Sequence, residues 1–199
     1  LLEKYIDYAP LDDKILNSKE IQIGVDVARF GDDSTIMYVK QGNYIIEEIK
    51  LDKKDTMQTA NRVARIVNEY SQNDIVAKID GVGVGGGVID RLSELQFPNL
   101  NIIEIQNNAR AFNENEYCNA ITEMFYEFNE FLKCGFVSMP DDSELIEDLA
   151  GRKYEFDSKG RLRIESKDEF KKRFGRSPDK GDAFLMTWYN NEDLTLIKK

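Results

Sequence analysis

Apolar and polar residues alternate strictly from position 21. Ile21, Ile23, Val25 and Val27 are separated by Gln22, Gly24 and Asp26, the two-residue period of a strand with one face in a core. The same pattern predicts strands over 21–28, 34–40 and 44–50. Turn-forming residues join them, Phe30-Gly31-Asp32-Asp33 and Gln41-Gly42-Asn43, so the three read as an antiparallel meander. The period then changes. Asp55 and Gln58 form a capping-box pattern, and Met57, Ala60, Val63, Ala64 and Val67 make a helical stripe over 55–70. A strand over 75–80, a helix over 88–96 and a short strand over 101–105 follow. That order is the arithmetic of an α/β fold with parallel strands and covering helices.

The chain continues with a helix over 117–133, in which Ile121, Met124, Phe125, Phe128, Phe131 and Leu132 recur at three- to four-residue spacing and Gly135 supplies the stop. A short helix over 141–150 ends at Gly151. Residues 152–157 and 161–166, joined by Ser158-Lys159-Gly160, read as an extra β-hairpin. A basic helix over 168–174 leads through Gly175 and Pro178 to a last apolar helix. Residues 1–20 show no clean period and read as a connector from a preceding domain, leaving 21–199 as one domain.

Composition narrows the class. With 199 residues and 41% hydrophobic content the chain can bury one core, and no apolar run reaches the roughly 20 residues of a membrane span. There is no histidine, and Cys118 and Cys134 are too far apart along a helix to pair, so zinc and a disulfide framework are both excluded. A cytoplasmic setting follows from that cysteine usage. The net charge of −10 argues against gripping nucleic acid by bulk attraction. It is unevenly spread, however: from Arg152 to Lys180, eleven basic residues stand against six acidic ones. By itself such a patch reads as a solvated face.

Four acids carry the candidate chemistry. Asp26 lies inside an aliphatic strand, where a carboxylate needs a cation or hydrogen bonds to offset its lost hydration. Asp80 ends the strand over 75–80, the end at which open α/β sheets bind ligands. Asp179 and Asp182 open the last helix, where they can also serve as caps. Asp26 and Asp80 on neighbouring strands would repel, and Mg²⁺ or Mn²⁺ between them removes that penalty through oxygen ligands. Between them lies Gly81-Val82-Gly83-Val84-Gly85-Gly86-Gly87. It lacks the Gly-Lys-Ser/Thr of a phosphate loop, and no acid stands at the end of the following strand for a dinucleotide ribose. Its better use is steric, letting a helix start at once beside Asp80.

Taken together, GVDVARFGDD, IDGVGVGGGVIDRL, the long helix and SKDEFKKRFGRSPDKGDAFLMTW resemble the C-terminal nuclease domain of tailed-phage large terminases, the DNA-packaging motors. The resemblance implies an RNase H-like fold, with a mixed sheet of three antiparallel and further parallel strands flanked by helices. It implies a metal-dependent endodeoxyribonuclease that cuts concatemeric viral DNA by two-metal-ion hydrolysis. Asp26 would bridge both ions, Asp80 would hold one and Asp182 the other, with Asp179 a fourth ligand. Arg152, Lys153, Arg161, Arg163, Lys167, Lys171, Lys172, Arg173 and Arg176 would contact the phosphates of double-stranded DNA without reading sequence. The implied partners are an ATPase domain in the same protein, the small terminase subunit and the portal, in the cytoplasm of an infected bacterium. The isolated domain is expected to be monomeric.

Two other classes share some of these features. An actin-like or sugar-kinase ATPase also opens with Gly-x-Asp on a hairpin, but needs a duplicated half for which the chain is too short, and would hydrolyse ATP without DNA. A non-catalytic interaction module would keep the acids only as caps and would bind no Mn²⁺.

Overall fold

A computed structural model describes residues 19–28, 34–53, 55–135 and 137–189. The expected connector, apart from its last two residues, and the turn with Asp32 and Asp33 lie outside that set. The elements in order are β1 (Glu20–Asp26), β2 (Ser34–Gln41), β3 (Tyr44–Asp52), α1 (Thr56–Glu69), β4 (Asp74–Asp80), α2 (Gly85–Leu95), β5 (Leu100–Ile105), α3 (Ala120–Cys134), α4 (Ser143–Ala150), β6 (Tyr154–Phe156), β7 (Leu162–Ile164), α5 (Lys167–Phe174) and α6 (Asp179–Trp188).

Five strands form one sheet in the order β3-β2-β1-β4-β5. β1 pairs antiparallel with β2, and β2 with β3, the second pairing shifting register between Val39 and Lys40. β4 runs parallel to both β1 and β5. This is the mixed sheet the alternation predicts. β6 and β7 make a separate two-stranded hairpin.

The two-residue period sorts each strand between two cores. Ile21, Ile23 and Val25 of β1 and Ile75, Ala77 and Ile79 of β4 join the cluster under α1 and α2. The opposite face carries Tyr38, Ile103 and Ile105 and is covered by α3 and α6 through Met124, Phe128, Phe184 and Trp188. The aromatic stripe of α3 is therefore core: Phe128 lies edge-on to Phe184 with ring centroids 5.1 Å apart. On α1 the predicted stripe holds at Ala60, Val63, Ala64 and Val67, whereas Met57 in the first turn is 46% exposed. The Asp55–Gln58 capping box is present.

Gly24 sets how closely the second layer approaches. It faces α6, and a Cβ there would lie 2.1 Å from the carbonyl oxygen of Ala183. Only a residue without a side chain lets that helix sit directly on β1. Gly85 does the same for α2, since its Cβ would fall 1.8 Å from the Asp80 carbonyl oxygen. The glycine run therefore forms the first turn of α2, which starts at Gly85 rather than at 88. α3 likewise begins at Ala120, capped by the Asn119 side chain, so the free thiol of Cys118 lies before it. No helix among the described residues is long and apolar enough to cross a membrane.

Candidate metal centre

Asp26 and Asp80 follow the Val25–Ile79 register pair at the carboxyl ends of adjacent parallel strands. Their side chains share the face that carries Gly24, the face on which the first turn of α6 lands with Asp179 and Asp182. Asn107, two residues beyond β5, closes the group. All five line one cleft of about 610 Å³, walled by the hairpin and α5 through Arg163, Ile164 and Lys171.

The centre of the group is a lysine. Lys167 Nζ lies 3.0 and 3.1 Å from the two oxygens of Asp26, 3.1 Å from Asp182 Oδ2 and 3.5 Å from Asp179 Oδ1. Burial works to lower its pKa, but Asp26, Asp182 and Asp179 together override that and hold the ammonium charged well above the ordinary range. Asp182, 1% exposed at its side chain, also receives Arg152 Nη2 on Oδ1 at 2.6 Å. Asp80 accepts the Val82 amide at 3.0 Å and the Asn107 amide at 3.2 Å, while Asn107 also reaches Asp182 at 3.3 Å.

Burial first, then the neighbouring Asp26 charge, pushes Asp80 up to about 6. The same two causes push Asp179 up to about 8. Both shifts express the same condition: buried carboxyls with an acidic neighbour resist taking on charge.

The two opening acids of α6 are not caps. Its N-cap is Pro178, with no side-chain capping bond. The turn is instead gripped from α4, where buried Asp148 accepts the Gly181 amide at 2.9 Å and pairs with Arg176.

Six of the nine predicted phosphate contacts are paired with acids. Arg152 is 2% exposed at its side chain, paired with Asp182 and lies against the Phe125 and Phe170 rings, so it is not a surface contact. Lys167 belongs to the acid cluster, with 34% of its side chain exposed. Arg176 is drawn into Asp148 and Glu147. Arg161 and Arg173 pair with Asp157 and Glu165. Arg163 lines the cleft and pairs with Glu155 and Glu169, while Lys153, Lys171 and Lys172 are exposed.

Among the described residues no three acidic, thiol or imidazole groups are already drawn together tightly enough to ligate one ion. The carboxylates of Asp26, Asp179 and Asp182 stand around an ammonium about 1 Å farther out than the roughly 2.1 Å of Mg²⁺ ligands. The donor set nonetheless fits a hard divalent cation: it is all oxygen, over-charged and adjoined by a buried amide oxygen, Asn107 Oδ1, that has no hydrogen-bond partner. Asn107 and Asp148 carry no sequence motif. Asn107 was discernible only as a polar residue just past the strand beside Asp80.

No protein-family model and no curated protein sequence matches the chain. Solved structures do. The nuclease domain of the large terminase subunit gp2 of bacterial virus Sf6 superposes with a TM-score of 0.76 at 17% identity, covering 96% of each chain. A lysine-to-alanine mutant of that domain with manganese gives 0.75 at 16% identity over 96% of each chain. The large terminase nuclease of thermophilic phage G20c with bound magnesium gives 0.61 at 15% identity, over 84% of this chain and 79% of that one. At such identities the likeness establishes architecture: this chain has the RNase H-like fold of the nuclease domains of phage large terminase subunits.

Proposed function

We propose that the chain is the nuclease domain of a tailed-phage large terminase, a divalent-metal-dependent endodeoxyribonuclease that cuts concatemeric viral DNA during packaging. The observation that carries this reading is the convergence of Asp26, Asp179 and Asp182 on one cationic position, with Asp80 tied to Asp182 through Asn107, so that acids from two strands and a distant helix line one cleft. The fold likeness to terminase nucleases, and the manganese and magnesium named with two of them, add support.

Asp26, Asp80, Asp182 and Asp179 would together hold two Mg²⁺ or Mn²⁺ ions. Such ions supply activation of water and stabilisation of the charge that develops on the leaving oxygen. The protein's own contribution is placement. Val82 and Asn107 orient Asp80, Arg152 orients Asp182, and the Asp148 grip on Gly181 fixes the turn that carries Asp179 and Asp182. Lys171 and Arg163 in the cleft, with Lys153 and Lys172 outside it, would hold duplex phosphates and impose no sequence preference. In the whole protein an ATPase domain, with the small subunit and portal, would bring DNA to this acidic body in the host cytoplasm.

The test is plasmid cleavage with Mn²⁺. Asp26→Asn, Asp80→Asn and Asp182→Asn should each abolish cutting, with far-ultraviolet circular dichroism used to verify that the fold persists. Full activity in all three would refute the assignment.

A further inference from the structure

Asn107 is fixed at both ends. Its backbone carbonyl accepts the Ile121 amide at 3.1 Å, and its carboxamide nitrogen bridges Asp80 Oδ2 and Asp182 Oδ2 at 3.2 and 3.3 Å. Asp182 Oδ2 is thus shared between two nitrogens, Asn107 Nδ2 and Lys167 Nζ, each lying between candidate acids. The residue is only 8% exposed, yet its Oδ1 is buried with no hydrogen-bond partner. A buried amide oxygen left unpaired is costly and calls for a physical reason, a bound ion among them.

A half-turn about the Cβ–Cγ bond exchanges the amide nitrogen and oxygen, which differ little in size. That turn sets a carbonyl oxygen between the two carboxylates. Without a divalent ion it would face the Asp80 and Asp182 carboxylate oxygens, which repel it. With one, it adds a neutral hard ligand of the kind Mg²⁺ and Mn²⁺ accept. The carboxamide can therefore serve the site in both states, donating when the acids stand alone and accepting when an ion joins them.

We propose that Asn107 is an additional ligand, through its side-chain carbonyl oxygen, of a divalent ion held by Asp80 and Asp182. The inference rests on the metal-centre reading above.

The experiment is Mn²⁺ titration of the full chain followed by electron paramagnetic resonance, with ¹³C placed in the asparagine side-chain carbonyls. Wild type should show a ¹³C coupling to Mn²⁺ that disappears in Asn107→Ala. Asn107→Ala should bind Mn²⁺ about tenfold more weakly, in the range found for groups supporting a metal site. Asn107→Asp, which restores an oxygen there, should bind at least as tightly as wild type. Absence of the coupling in wild type that binds Mn²⁺, or an unchanged affinity in Asn107→Ala, overturns the proposal and leaves the acids untouched. Should Asn107→Ala fail to fold, the wild-type coupling and the Asn107→Asp affinity decide. If wild type binds no Mn²⁺, or Asp80→Asn binds as wild type does, the metal centre itself is refuted, and this ligand with it.

Discussion

Replacing Lys167 by methionine separates the two roles its position suggests, structural counter-charge and occupant of an ion's place. The ammonium touches three carboxylates at 3.0 to 3.5 Å. At an effective dielectric near 20 each contact is worth on the order of 5 kcal/mol before desolvation. Taking the charges out of water cancels much of that, and removing one partner of such a buried set typically costs about 3–5 kcal/mol. The low end applies here because the lysine is a third exposed and partly screened. For a chain of this size about 3 kcal/mol lowers Tm by roughly 6–12 °C. Lys167→Met in EDTA should therefore melt at about 10 °C below wild type in a fluorescence-monitored scan. An ion at one hundred times its Kd stabilises a protein by about 2.7 kcal/mol. Calorimetry should give a Kd at least tenfold tighter than wild type, which must first displace its own ammonium; wild type then gains about 1.4 kcal/mol less from the same ion, so with Mn²⁺ the deficit should shrink by roughly 3–6 °C. An equal Tm deficit with and without Mn²⁺, together with unchanged affinity, would show that lysine and ion do not compete for one place.

Three further outcomes follow from the same geometry. Asp80 and Asp148 both have folded pKa values of about 6, raised above the unfolded 3.8 chiefly by burial, so the folded state binds more protons between those values. Metal-free stability should then fall as pH rises from about 4.5 to 6.5, measured as Tm in EDTA; a rise over that window would contradict the assignment. Gly24→Ala drives a methyl group to 2.1 Å from the Ala183 carbonyl oxygen and should cost about 3 kcal/mol in urea unfolding, with a value under about 1 refuting the close helix contact. Lys171→Glu with Lys172→Glu should weaken duplex binding equally across sequences and reduce its salt dependence, whereas loss confined to one sequence context would exclude simple backbone contact.

How much of this was legible beforehand follows a physical divide. Strands and helices were readable because burial imposes a period on the chain, and β1, β4 and β5 fall within two residues of their expected bounds. Asp26 and Asp80 were readable as acids out of place in apolar strands. The start of α2 was misplaced because glycine lowers helix propensity, whereas the close approach to the Asp80 carbonyl, where a Cβ would not fit, decides in favour of glycine there. The basic residues were harder still. Arg152, Lys167 and Arg176 look like a surface stripe in one dimension, and only the fold turns them inward against Asp182, Asp26 and Asp148. A charge has no period by which its partner can be read.

The seating of α6 on Gly24 also orders events in time. A chain growing from its amino end carries Asp26 and Asp80 long before Asp182 is made, and the Arg152 and Lys167 that restrain that third acid arrive in the same final stretch. A partly synthesised or partly unfolded copy thus holds scattered carboxylates and no assembled acid cluster.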